Sequence, residues 1–255
     1  MSPITALSKA QVSEYRSLKQ SKFRQATGLF LLEGVRLCQD VIASGLELEA
    51  CITLENFDDI EIPDQTPRLT ANQVQLEQLS DSRSPQPIIC IGFIPIEQPL
   101  PQPDQSELVL VLDRIADPGN LGTILRTARW FGVKDVVLSI DCADPFNPKA
   151  VRASMGAIAA VNLHRHIDLE SYLGEWKQNE GSVLALDTRG EPLRGRKISG
   201  PTLLIAGSEA HGVDPALLEL AEGVSIPGSG DGESLNAAMA TGIALWELTT
   251  THDIA

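Results

Sequence analysis

No apolar run in this chain of 255 residues approaches the roughly 20 residues that crossing a bilayer requires. Met1 to Lys9 contain no apolar block, so no signal peptide is expected. The four cysteines, Cys38, Cys51, Cys90 and Cys142, are scattered without a C-x-x-C pair. That spacing argues against a disulfide framework or a cysteine-rich zinc site, and it leaves the cytoplasm as the simplest compartment, with no metal expected. No G-x-G-x-x-G directly follows the first strand of the α/β pattern, and no Walker sequence occurs, so a Rossmann-type dinucleotide enzyme lacks its fingerprint.

Basic residues are also scarce, 20 Lys and Arg against 34 Asp and Glu, for a net charge of −14. Phosphate contacts usually come from Lys and Arg, so this balance disfavours nucleic acid until its distribution is read. Residues 1–36 carry Lys9, Arg16, Lys19, Lys22, Arg24 and Arg36 against Glu14 and Glu33, a local +4. Residues 37–106 carry Arg68 and Arg83 against twelve acids, a local −10. A basic arm beside an acidic face can still hold RNA locally, although such a charge run also suits a solvated helix face.

What is present is a hydrophobic fraction of 43%, ordinary for a globular chain able to bury a core. Residues 10–28 predict a polar basic helix, Leu29–Gly34 a short buried strand, Val35–Ser44 a helix, and Glu49–Leu54 and Pro87–Phe93 further strands. Pro95 to Pro103 hold four prolines, and proline fixes φ and removes a donor, which marks an extended linker. The expected division is 1–94 as a smaller N-terminal α/β domain, 95–106 as linker and 107–255 as a second domain. In that second part, short apolar runs at Leu108–Leu112, Asp135–Ile140, Ser182–Leu186, Thr202–Ala206 and Val224–Ile226 alternate with helical patterns. Continuous apolar strands alternating with helices predict a parallel sheet covered on both faces.

Three segments fall at strand-to-helix junctions, where open parallel sheets bind ligands. In Asp117-Pro118-Gly119-Asn120-Leu121-Gly122-Thr123-Ile124-Leu125-Arg126, Asn120 suits an N-cap for a helix Leu121–Phe131. Gly122 and Arg126 then share a helix face, with Arg129 next along it. Arg126 has the donor fork to meet a phosphate or a reacting hydroxyl, whereas alone the segment reads first as a capped helix with a surface arginine. In Ala206-Gly207-Ser208-Glu209-Ala210-His211-Gly212, the glycines offer backbone N–H groups to a ligand. Glu209 serves either the site or the loop. His211 is of the residue type that most often serves as a general base. The third segment has Gly228, Gly230 and Gly232 before Ser234-Leu235-Asn236, at the start of a helix ending near Leu248. Helix capping accounts for Ser234 but not for the glycine run.

Together and in this order, the three segments resemble the motifs of the SpoU (TrmH-type) RNA 2′-O-ribose methyltransferases. Asp144-Pro145-Phe146-Asn147-Pro148-Lys149, then Val151-Arg152-Ala153-Ser154-Met155-Gly156-Ala157, is similar to the same family. Lys22-Phe23-Arg24…Gly28-Leu29-Phe30-Leu31-Leu32-Glu33-Gly34 is similar to the ribosomal-protein-like substrate-binding domain that many members carry. The chain departs from the family pattern at Gly228 after Ile226-Pro227, and at Ala237-Ala238 after Asn236.

The resemblance implies an α/β SPOUT domain with a deep trefoil knot, S-adenosylmethionine as cofactor, a homodimer, no metal and no membrane. It implies Arg126 as the group that lowers the 2′-hydroxyl's pKa or helps remove its proton. Ser234 and Asn236 would orient that group, while Asn120 and Glu209 hold the pocket's shape. The cofactor would meet Leu186, Gly207, Ile226, Ser234 and Leu235. Other members often place different residues at His211, which is therefore expected to face solvent. The N-terminal module favours ribosomal RNA of the 23S type, with transfer RNA and a non-catalytic RNA-binding protein on the same fold as alternatives.

Overall fold

The computed structural model describes residues 4–82, 84–229 and 234–250. They fall into two compact units, one formed by residues up to Ile96 with Asp144–Ala160, the other by Glu97–Ala143 with the chain from Val161 onward.

The first unit runs β1 (Ile4–Ala6), α1 (Lys9–Ser17), α2 (Ser21–Thr27), β2 (Leu29–Glu33), α3 (Val35–Ala43), β3 (Leu48–Leu54), β4 (Arg68–Ala71), α4 (Gln73–Leu79) and β5 (Ile88–Phe93). Its mixed sheet has the order β1-β4-β3-β5-β2. The single helix expected over 10–28 is two. Breaking at 18–20 lets Leu18 bury completely and lets the Lys19 ammonium reach the carbonyls of Gln78 and Ser80 at the end of α4. Tertiary packing overrides a propensity that favours continuation. Gly28 then ends α2 at φ 69°, the left-handed conformation glycine adopts without penalty. The unpredicted β1, β4 and α4 are short, and the two strands lack the continuous apolar runs of β2 and β5.

The chain continues through β6 (Leu108–Asp113), α5 (Pro118–Trp130), β7 (Asp135–Ser139), α6 (Pro148–Ser154), a 3-10 turn at Ala157–Ala159, and β8 (Asn162–Ile167). Then come α7 (Leu169–Gln178), β9 (Ser182–Pro192), β10 (Thr202–Gly207), α8 (Pro215–Leu220), β11 (Glu222–Ser225) and α9 (Ala237–Thr249). The second unit's six strands, ordered β11-β9-β10-β6-β7-β8, are all parallel, as the buried apolar runs predict. Val109, Val111, Leu203 and Ile205 from its centre pack against Tyr172, Leu173 and Trp176 of α7.

Three details differ from expectation. β9 runs to Pro192 rather than stopping at Leu186, because its far end pairs with β11 across a register shift. β11 ends at Ser225, so Ile226 lies beyond the ladder. The proline-rich stretch is not a free spacer: Pro101 and Pro103 are buried, and the Tyr172 hydroxyl donates to the Pro101 carbonyl at 2.9 Å.

Candidate active site

The chain builds β6, β7 and β8 outward in one direction and then adds β10, β9 and β11 on the other side of β6. The order therefore reverses between β6 and β10, and ligands of open α/β sheets bind outside the carboxyl ends of strands at such a switch point. Asp113 and Gly207 are register partners at those two ends, so the first and second segments leave the sheet side by side.

Asp113, buried, is the anchor that sequence reasoning missed. Its Oδ2 accepts the Asp214 N–H at 2.9 Å, and both its oxygens accept from Arg114 Nε at 3.1 and 3.2 Å. Arg114 reaches on to the Asp214 carboxylate at 3.0 Å. It sits at φ 56°, a left-handed conformation costly for a side-chain-bearing residue, and these pairs hold it there. An Asp closing an apolar strand was the available signal.

The helix after β6 starts earlier than expected. Asp117, not Asn120, is its N-cap, accepting the Asn120 N–H at 2.9 Å, and Pro118 fills the first turn. Asn120 is thereby released from capping. Its side-chain amide donates to Glu209 Oε1, and its Oδ1 accepts from Asn236 Nδ2 at 3.1 Å. Asn236, not Ser234, caps α9: its Oδ1 accepts the N–H groups of Ala238 and Met239 at 3.0 and 3.3 Å. The three segments thus meet in one chain of hydrogen bonds, α9 to Asn236 to Asn120 to Glu209. Ser234 and Leu235 are exposed and lie outside that chain. Gly230 and Gly232 lie outside the described residues.

Gly207 is glycine for a different reason from the one expected. A Cβ there would lie 2.2 Å from the Gly212 carbonyl carbon, because the loop folds back on it. The Gly212 N–H donates to the Ser208 carbonyl at 2.8 Å and the His211 N–H to Ser208 Oγ at 3.3 Å. Those two donors serve the loop rather than a ligand. The His211 side chain faces solvent.

Arg126 is exposed on α5 and has no hydrogen-bond or ion-pair partner among the described residues. Gly122, one turn before it on α5, is buried. A groove of about 430 Å³ runs between Thr123 and Thr127 of α5, with Phe131 just after it, and Met239, Gly242 and Trp246 of α9. A cavity of about 550 Å³ opens on the other side of Ile243 and Trp246, against Ile226, Pro227, Leu193 and Arg194. Leu193 and Arg194 line this cavity although the sequence did not point to them, because β9 was expected to stop well before them. Leu186, half-buried, lies within β9. The next residue, Asp187, has its carboxyl held below the usual range by hydrogen bonds from the Arg189 guanidinium at 3.1 and 2.9 Å.

Residues 107–246 match the model of the SpoU rRNA Methylase family, and residues 9–90 that of the MRM3-like substrate binding domain. The chain belongs to the SpoU rRNA methylase family. It is 32% identical to an uncharacterized tRNA/rRNA methyltransferase of Synechocystis, over 96% of this chain and 92% of that one. It is also 32% identical to the 23S rRNA (guanosine(2553)-2′-O)-methyltransferase RlmP of Bacillus subtilis, over 97% and 99%. Among solved structures it resembles an RNA methyltransferase of the TrmH family from Porphyromonas gingivalis, with a TM-score of 0.84, 31% identity, and 94% and 97% of the two chains covered. An AdoMet-bound rRNA methyltransferase from Sinorhizobium meliloti follows at 0.82 and 29%, over 96% and 97%. Both span the whole two-part arrangement that a SpoU methylase with a substrate-binding module would have.

Proposed function

We propose that this chain transfers a methyl group from S-adenosylmethionine to a ribose 2′-oxygen of ribosomal RNA. The observation that carries the reading is the convergence of Asn120, Glu209 and Asn236 in one hydrogen-bonded group at the switch point, with Arg126, on the same helix as Asn120, left without a partner among the described residues. A polar group held open beside a braced cluster suits a reacting atom better than a structural role.

The pocket fits the cofactor. Its volume lies in the range that small ligands occupy. Ile226, Pro227, Ile243 and Trp246 offer apolar walls to a purine, and Arg194 lies beside them for a carboxylate. The backbone at Gly207, Leu186 and Leu235 completes the proposed set, with Ser234 near the methionine end. When bound, the cofactor supplies the electrophilic methyl group; the protein's task is positioning and deprotonation. Arg126 holds the 2′-oxygen and favours its ionised form. Asn120 cannot turn away, because Glu209 and Asn236 fix both ends of its amide. Asn236 is fixed in turn by the first turn of α9.

The assembly belongs to the same reading. Met239 is 59% exposed, Trp246 47% and Trp130 83%, an apolar strip along α5 and α9 that a second copy of this chain would cover. A trefoil knot over Thr202–Leu248, a homodimer, a cytoplasmic site of action and no metal complete the proposal. The ribosomal substrate is supported by the match of 9–90 to a substrate-binding module and by the names of the relatives.

The test is methyl transfer from labelled S-adenosylmethionine to size-fractionated RNA from cells lacking the gene, followed by digestion to nucleosides. Label in large-subunit RNA as a 2′-O-methylnucleoside is expected. Label confined to transfer RNA would replace the substrate. No label, together with no cofactor binding, would leave the non-catalytic reading.

A further inference from the structure

Two sequence segments remain without a role: Lys22–Gly34 in the substrate-binding region and Asp144–Ala157 in the methylase region. The structure pairs them with each other inside the first unit. Arg24 is only 2% exposed. Its Nη1 donates to the Leu18 carbonyl at 2.8 Å, and its Nε and Nη2 both donate to Asp144 Oδ2, Nε at 3.0 Å. Ser21 Oγ lies 3.3 Å from the same carboxylate oxygen. One segment further on, Arg152 of α6 reaches Asp81 at 3.2 Å and stands 3.8 Å from Glu33 Oε2. Glu33 is braced by the Ser80 hydroxyl and the Asp81 N–H. Between the bridges, Phe30 and Phe146 pack with ring centroids 4.9 Å apart.

A buried ion pair is a poor way to gain stability, since apolar residues of similar volume would hold as well. What charge adds is register. Here the polarity alternates: the cation of the first bridge is on α2 and that of the second on α6. A slide of one segment past the other would bring like charges together. Residues 144–160 lie between β7 and β8 of the stretch matching the methylase model, yet their partners Arg24 and Glu33 lie in the stretch matching the substrate-binding model.

We propose that Arg24, Glu33, Asp144 and Arg152 are positioning residues for methyl transfer. They fasten the 144–160 segment, which joins β7 to β8 in the sequence, to the rest of the first unit, and so tie the module that holds RNA to a fixed point of the chain. The proposal rests on the function given above. None of the four need touch cofactor or substrate. Cofactor binding is therefore independent of the bridges, RNA affinity is nearly so, and turnover depends on them.

The experiment uses the full chain with Asp144→Asn, which retains the acceptor for the Phe146 N–H, and Arg152→Lys, which keeps the charge but loses the fork. Amide hydrogen exchange, S-adenosylmethionine affinity, and kcat and KM on ribosomal RNA are measured for each. Faster exchange across 148–154 is expected, with exchange in β3 and β5 unchanged. Cofactor affinity should equal that of the parent and KM change less than about twofold, while kcat falls by on the order of tenfold to a hundredfold, the scale of a misplaced reactant. Arg24→Lys should recover part of the turnover lost in Arg24→Ala. Faster exchange with undiminished kcat would overturn the positioning role, and unchanged exchange in both variants would overturn the fastening itself. If the parent chain transfers no methyl group, the proposed function fails, and the exchange measurement still decides whether the bridges hold the segment.

Discussion

Two arginines that stand out in the sequence, Arg24 and Arg126, end in opposite states. Arg24, in the first unit, is buried with all three of its nitrogens engaged. Arg126, in the second, is exposed, with no partner among the described residues. Both lie on helices next to parts of motifs, and both have the same fork of donors. The difference lies in what their neighbours supply. The first unit brings a carboxylate, Asp144, to its arginine. At the second site four of the described acceptors are already engaged: Glu209 with Asn120, Asn120 with Asn236, Asn236 with its helix, Asp113 with Arg114 and Asp214. A closed polar group specifies structure, whereas one left open beside closed ones is available for chemistry.

The contrast breaks most directly at Arg126. Arg126→Ala should lower methyl transfer by about 10³-fold, the combined scale of losing proton transfer and charge stabilisation, while S-adenosylmethionine affinity is unchanged. Single-turnover rates and equilibrium dialysis on one preparation separate the two. Undiminished transfer would make Arg126 a surface residue like any other. Arg24→Ala should do the reverse to stability, lowering Tm by leaving Asp144 partly buried and unpaired.

The second largest effect is expected at Gly207. An alanine Cβ would fall 2.2 to 2.3 Å from the Gly212 and Val213 backbone, which cannot move without opening the loop that presents Glu209. A loss on the order of 3 kcal/mol in denaturant unfolding is expected. A stable Gly207→Ala protein would show that the loop is not closed on itself.

Much of this was legible in the sequence. The parallel sheet follows from continuous apolar runs such as Val109–Leu112, and the site's place from three motifs at strand ends. What was not legible is mostly who caps what. Asp117 and Asn120 are both good N-caps three residues apart, and Ser234 and Asn236 are again both good caps, two apart. Propensity cannot choose between them, but the choice decides which side chain remains for the site. Tertiary context settles it, because Asn236 can cap α9 with its carbonyl while its amide reaches Asn120. The pairing of Arg24 with Asp144, 120 residues apart, leaves no local trace at all.

That double use of Asn236 gives a smaller, sharper test. Asn236→Asp keeps the cap acceptor and removes the donor to Asn120, so Tm should hold while transfer falls about tenfold, since a freed amide misplaces the site. Asn236→Ala should lose both, with about 1 kcal/mol of stability going with the cap. Equal activities of the Asp variant and the parent would remove the hydrogen-bonded chain from the mechanism.

The smallest prediction asks whether the contrast is one of units or of positions. If positions decide, the second unit should close its own polar groups away from the strand ends as tightly as the first closes Arg24. Tyr172 is the case to examine. Its hydroxyl donates to the Pro101 carbonyl, and burial, with a further contribution from the Asp135 charge, raises its pKa above the ordinary phenol value. Above about pH 10 the unfolded chain therefore releases this proton first while the folded chain retains it. The folded state then binds more protons, so the Tyr172 contribution is whole below that pH and is lost as pH rises toward the folded pKa. Tyr172→Phe should cost about 1 kcal/mol near neutrality for the hydrogen bond. The gap between parent and variant should close as urea midpoints are followed from pH 9 to pH 11. A gap that stays constant would mean that the phenol is open to solvent, and that the second unit as a whole, not its strand ends alone, leaves polar groups unpaired.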